Sequence, residues 1–305
     1  MQLRWLASAS TSCFHATAAI ARGGPLADAR LADALASPAA SLLGELTAAG
    51  LDAEAFFEQA VPLASAFENN CQLADRVLSK LQGPGNHELA AGRLAGWFTQ
   101  LESAFNHAVP GVVDELELRS GPLREQWEAR GPGLLAEIGR QTEPGLLTES
   151  AEIVLAYPAV GGAATAHLAS NKVVIEAVLA NPFGELPEIV RLGWLLSTLN
   201  LDLPKYSESI PPERLTRLAK LAMLPVALQS AAELELAPGG PTPLAVAIGA
   251  WGLADSQHVD SLAETLRAWR QTYQDNRPPW RVALAALDQM LTTPANQTRA
   301  EEKTP

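Results

Sequence analysis

The sequence predicts a mainly α, multi-helical protein with a small two-stranded or few-stranded β element near residues 151–179, so that α+β is the neighbouring class. Three observations predict this. Apolar residues in the first 145 positions recur at helical spacings. Two short β-leaning runs, 151–157 and 172–179, flank a connection rich in glycine and alanine. Hydrophobic residues make up 48% and charged residues 18% of the 305, a balance that fills a packed core and argues against a mostly disordered chain.

The N-terminus carries one positive charge, Arg4, before a small, semi-apolar stretch from Trp5 to Ile20. Ser8, Ser10, Thr11, Ser12 and His15 interrupt that stretch, which makes a poor signal peptide. The expected location is therefore cytoplasmic, with secretion through residues 1–21 as the alternative. Leu31, Leu35, Leu42 and Leu46 then form one helical face, and Pro38 is expected to split it into two helices with Ser37 as cap. Asp52 caps a helix carrying Phe56, Val61, Leu63 and Phe67, and the pattern continues through Leu73, Val77, Leu78 and Leu81 to Gly83-Pro84-Gly85. A further helix bears Leu94, Trp97, Phe98, Leu101 and Phe105. Two short ones are expected at Pro122–Trp127 and around Leu134–Ile138.

In the centre, 151–157 and 172–179 read as strands joined by a wide connection containing Gly161-Gly162. Pro187 opens a helix that is apolar on nearly every side from Ile189 to Leu199, and such a helix is buried. Glu188 in its first turn suits the helix dipole and can pair with Arg191 three residues on. Pro211-Pro212 starts the next helix, which Pro225 is expected to kink or end. Pro238-Gly239-Gly240-Pro241 breaks the chain. Short helices follow over Leu244–Leu253, over Leu262–Tyr273 and from Pro279 to Leu291. The expected organisation is a helical region at 1–145, a helical region with the central β element at 146–293, and a disordered tail at 294–305.

Lys and Arg number 22 against 34 Asp and Glu, net −12, with a pI near 4.9. That balance argues against nucleic acid or an anionic membrane surface as partner, and the expected partner class is another protein. Mean hydropathy is +0.04 and no apolar run is long enough to span a bilayer. The two cysteines, Cys13 and Cys71, are far apart and form no disulfide framework.

The five histidines include no two within four residues, so no metal site is expected. His87-Glu88 opens like a metallopeptidase helix motif but has Ala91 where the second histidine belongs. Cys13-Phe14-His15 supplies too few ligands. No nucleophile elbow and no phosphate-loop motif occurs, and no cofactor is expected. Val160-Gly161-Gly162 stands where a phosphate loop would, but no lysine follows and the reading is a tight turn.

The remaining cluster is central: His167 in the connection, Glu176 in the second strand, Glu188 and Arg191 on the buried helix. Strand alternation places Glu176 with Val174 and Val178. If that side faces inward its charge needs a partner, which Arg191 or His167 would supply. The order of elements, a helical lead-in, strand, loop, second strand and buried helix, resembles the core of zinc-dependent metallopeptidases. That resemblance implies a metal-binding helix at Glu188–Leu196, but the stretch holds no histidine, so the implied relative is catalytically dead. The functional expectation is a non-catalytic helical protein in a protein–protein interaction or scaffold role. The alternatives are that degenerate peptidase, or an enzyme or small-molecule binder with a site around His167, Glu176 and Arg191.

Overall fold

A computed structural model of the chain describes residues 1–181, 183–240 and 242–292. The tail expected at 294–305 lies outside them. The chain is 68% helical, with 12 helices and a small four-stranded mixed sheet among the described residues. Apart from Met1, it divides into two units, each made of two stretches: Gln2–Glu125 with Ser150–Pro182, and Gln126–Glu149 with Phe183–Pro305.

The first unit holds the sheet: β1 (Gln2–Ala7), β2 (Ser150–Ala156), β3 (Ala164–His167) and β4 (Lys172–Glu176), in the order β1-β2-β4-β3. Both runs expected as strands are strands, although the second ends at Glu176 rather than continuing to Leu179. The region 1–145, expected as helical, opens with a strand, β1. It pairs in parallel with β2, Trp5 opposite Ile153, so its stabilising partner lies far along the chain and leaves no local periodicity to read. β2 and β4 are also parallel, and β3 returns antiparallel to β4. The chain therefore leaves the end of β2, crosses the end of β4 in the loop 157–163, descends as β3 and turns back up the middle as β4.

Helices α1 (Ala9–Ala21), α2 (Ala29–Ala48), α3 (Ala53–Leu63), α4 (Asn70–Gln82) and α5 (Glu88–Ala108) belong to this unit, as does the first part of the helix that follows them. Each of the first four begins on a side chain that accepts from a first-turn N–H: Ser8, Asp28, Asp52 and Asn69. The core centres on Phe14 against Phe98, edge to face at 4.8 Å. The split expected at Pro38 does not occur. Leu31, Leu35, Ala39, Leu42 and Leu46 form one buried stripe running through it. Burial on both sides outweighs the lost hydrogen bond, which costs roughly 3 kcal/mol. The two short helices expected at 122–138 are likewise one, α6 (Val112–Arg140).

The second unit contains the remainder of α6, then α7 (Glu188–Thr198), α8 (Pro204–Ser207), α9 (Pro212–Glu233), α10 (Thr242–Ala250), α11 (Val259–Asn276) and α12 (Trp280–Thr292). Every residue of α7 from Ile189 to Thr198 is buried, as its all-round apolar pattern requires. Gly193 permits this: a Cβ there would lie 2.6 Å from Leu134 Cδ2. α9 also runs unbroken through Pro225, with Leu221 to Ala227 buried on either side of it. Among the described residues no single helix is long and apolar enough to cross a membrane.

Candidate functional site

The densest polar arrangement forms at the ends of the parallel strands in the first unit. β1 leads directly into α1, whose Ser8 side chain accepts from Thr11 N at 3.0 Å. Ser12 Oγ donates to Ser8 O at 2.6 Å and accepts from Tyr157 N at 2.9 Å, tying the start of α1 to the loop that leaves β2. Ser10 Oγ donates to Glu102 at 2.6 Å. The three serine hydroxyls are therefore engaged in capping or cross-bracing, while the buried Thr11 Oγ1, one turn before His15 on α1, makes no hydrogen bond.

The loop then crosses the end of β4, and there it meets Glu176. Gly161 and Gly162 adopt φ of 92° and 123°, values that a side chain would strain. This conformation turns successive amides inward as an anion-binding hollow. The anion is the protein's own. Glu176 Oε1 accepts from Val160 N at 2.7 Å, and Oε2 accepts from Gly162 N at 2.5 Å and Ala163 N at 2.9 Å. His15 Nε2, two turns into α1, donates to Oε1 at 2.8 Å. The Glu176 side chain is fully enclosed and that of His15 is 14% exposed. Burial by itself would push the Glu176 carboxyl up. The His15 hydrogen bond and charge, with the Gly162 and Val160 amides, outweigh it and hold the group below its ordinary value.

This arrangement reassigns the central cluster. Glu176 is buried, so its charge needs the partner that was expected for an inward side, but that partner is His15 with the loop amides. His167 stands opposite Lys172 in the β3–β4 register, at the far end of β4 from Glu176, roughly 13 Å along the strand. Arg191 belongs to the second unit, where it pairs with Glu188 at 3.2 Å, as their spacing predicted. Burial pushes the Glu188 carboxyl up, against the pull of Arg191.

The sequence reading missed His15, weighed only as a metal ligand beside Cys13. The Cys13 thiol is buried, which drives its pKa far up and leaves it unreactive. The usable signal was a glycine pair after one strand and a lone acid at the end of the next, in a chain too acidic to favour a free anion.

A carboxylate bonded to an imidazole is the orienting half of a nucleophile–base–acid constellation. Here no described hydroxyl or thiol is hydrogen-bonded to the imidazole. Among the described residues the hydrogen bond of His15 is the one to Glu176, and the nearby serines are committed as above. No group of three or more metal-ligating side chains occurs among the described residues. Protein-family models, curated proteins and solved structures gave no match to this chain.

Proposed function

We propose that this chain is a non-catalytic helical protein acting through contact with another protein, in an interaction or scaffold role. The observation that supports it is the state of Glu176. An acid that is fully enclosed and already accepts four hydrogen bonds has no free lone-pair direction for a substrate, and its imidazole partner is hydrogen-bonded to no described hydroxyl or thiol. The glycine loop, the natural place for a ligand at the ends of parallel strands, is filled from within. Its work is to lock β2, β4 and α1 together.

The test is crosslinking of the full-length chain in its own cell extract, identification of the crosslinked protein, and reconstitution from purified components. A stoichiometric complex with a dissociation constant near or below about 1 μM supports the reading. Substrate turnover by the purified chain that disappears in both His15→Ala and Glu176→Gln, with folding retained, overturns it.

A further inference from the structure

Away from Glu176, the second unit encloses a cavity of about 390 Å³ between α9, the connection after it and α11. Leu228 and Ala232 of α9 and Pro243 and Leu244 of α10 supply apolar wall. The polar wall comes from Gln229 and from one face of α11, where Arg267, Arg270 and Gln274 stand at intervals of three and four.

Arg270 is the unusual member. The residue is 5% exposed, yet among the described residues no carboxylate forms an ion pair with it, with Arg267 or with Arg277. Its hydrogen bonds go to neutral oxygens: Nη2 to Gln141 Oε1 at 2.6 Å and Nη1 to Gln141 O at 3.3 Å. Arg277 Nη1 donates to that same carbonyl at 3.1 Å, bringing a second positive charge beside the first. Burial and then Arg277 pull the Arg270 pKa down to about 10. Tyr273, whose ring centroid lies 5.5 Å from the guanidinium, and the more distant Glu233 pull the other way, but the groups bonded to Arg270 are all neutral, which leaves a buried charge with no anion in contact.

Gln229 Oε1 marks where compensation would come from. It accepts from Arg270 Nε at 3.3 Å, from Arg270 Nη2 at 3.2 Å and from Gln274 Nε2 at 2.9 Å. Three donors, two of them one edge of a guanidinium, converge on a single amide oxygen with two lone pairs. That edge is the fork that matches a carboxylate.

We propose that this cavity is a binding site for a small organic acid, its carboxylate taken by the Arg270 edge with Arg267 at the mouth and its apolar body against Leu228, Ala232 and Leu244. The ligand carboxylate replaces the Gln229 oxygen, whose side chain is part of the cavity wall. A planar monoanion fits one guanidinium edge and a largely apolar chamber better than inorganic phosphate, which brings more charge and no apolar surface. The size lies within the usual range of small-ligand sites.

Titration calorimetry on the full chain, with benzoate, benzyl alcohol and inorganic phosphate as probes, tests this. Benzoate should bind saturably with a dissociation constant at or below about 1 mM, and benzyl alcohol and phosphate at least about tenfold more weakly. Arg270→Met should abolish benzoate binding; it removes a buried charge but also the donors to Gln141 and Gln229, so retention of the fold is checked by circular dichroism alongside the titration. Should that variant fold poorly, Arg267→Gln at the exposed mouth serves instead, and should weaken benzoate about threefold with unchanged melting temperature. No benzoate binding, equal binding of the alcohol or of phosphate, or benzoate binding indifferent to both substitutions overturns the proposal.

Discussion

Replacing Glu176 by alanine removes the acceptor of four hydrogen bonds, three from loop amides and one from His15. Each donor left without a partner in a poorly hydrated place costs about 1–3 kcal/mol. The loop is partly open at Val160 and Gly161, so water reaches some of these donors and the lower end applies. The expected loss is about 3–5 kcal/mol, the range for breaking a buried charged pair by deleting one partner. For a chain of this size that lowers the melting temperature by about 10 °C. Glu176→Gln keeps the volume and one acceptor oxygen but turns an N–H₂ toward two of the donors, and should fall between wild type and alanine. The sign of the pH dependence follows from the lowered carboxyl pKa. The group contributes its stability above the unfolded-state value near 4.5 and loses it as the pH drops through the lower folded-state value. Wild-type stability should therefore fall below about pH 4.5, and Glu176→Gln should show a shallower acid limb. Urea denaturation at pH 7 and across pH 3–6 reads both. Alanine within about 0.5 kcal/mol of wild type at pH 7, or an acid limb identical in the glutamine variant, would refute the reasoning.

Other outcomes follow from the packing. Gly193→Ala places a methyl 2.6 Å from Leu134 Cδ2, and overpacking of this kind should cost about 1–3 kcal/mol in chemical denaturation. A variant as stable as wild type would show that α7 and α6 are not held at that distance. Gly161→Ala meets no neighbouring atom, so its cost comes only from φ of 92°. About 1–2 kcal/mol is expected, and no loss would mean that the loop adopts another backbone path. Pro38→Ala restores a donor inside α2, and after the unfolded-state entropy it gives up should stabilise by about 1–2 kcal/mol. Destabilisation there would argue that the ring is needed for packing.

The fold class was legible because helical spacing is local. The Leu31–Leu46 stripe, the all-round apolar α7 and the cap at Asp52 are read within a few residues of where they act. What stayed hidden was non-local. β1 is held by β2 through pairs such as Arg4 with Glu152 at 3.1 Å, and His15 meets Glu176 from across the chain. Alternation put Glu176 on the side of Val174 but could not say whether that side was buried, since all of β4 is, and it could not give the partners, because two strand ends and a helix face converge only in the folded unit. Pro38 and Pro225 misled for the opposite reason, a strong local rule overridden by the buried apolar face on each side.

Amide hydrogen exchange at Val160, Gly162 and Ala163 tests the central claim most directly, measured at neutral pH with and without added phosphate or acetate. If Glu176 is the resident anion of the glycine loop, these three amides exchange slowly, unaffected by either salt, and lose protection in Glu176→Ala. Fast exchange in the wild type that slows when an anion is added would contradict it, revealing an open receptor in place of a closed clasp.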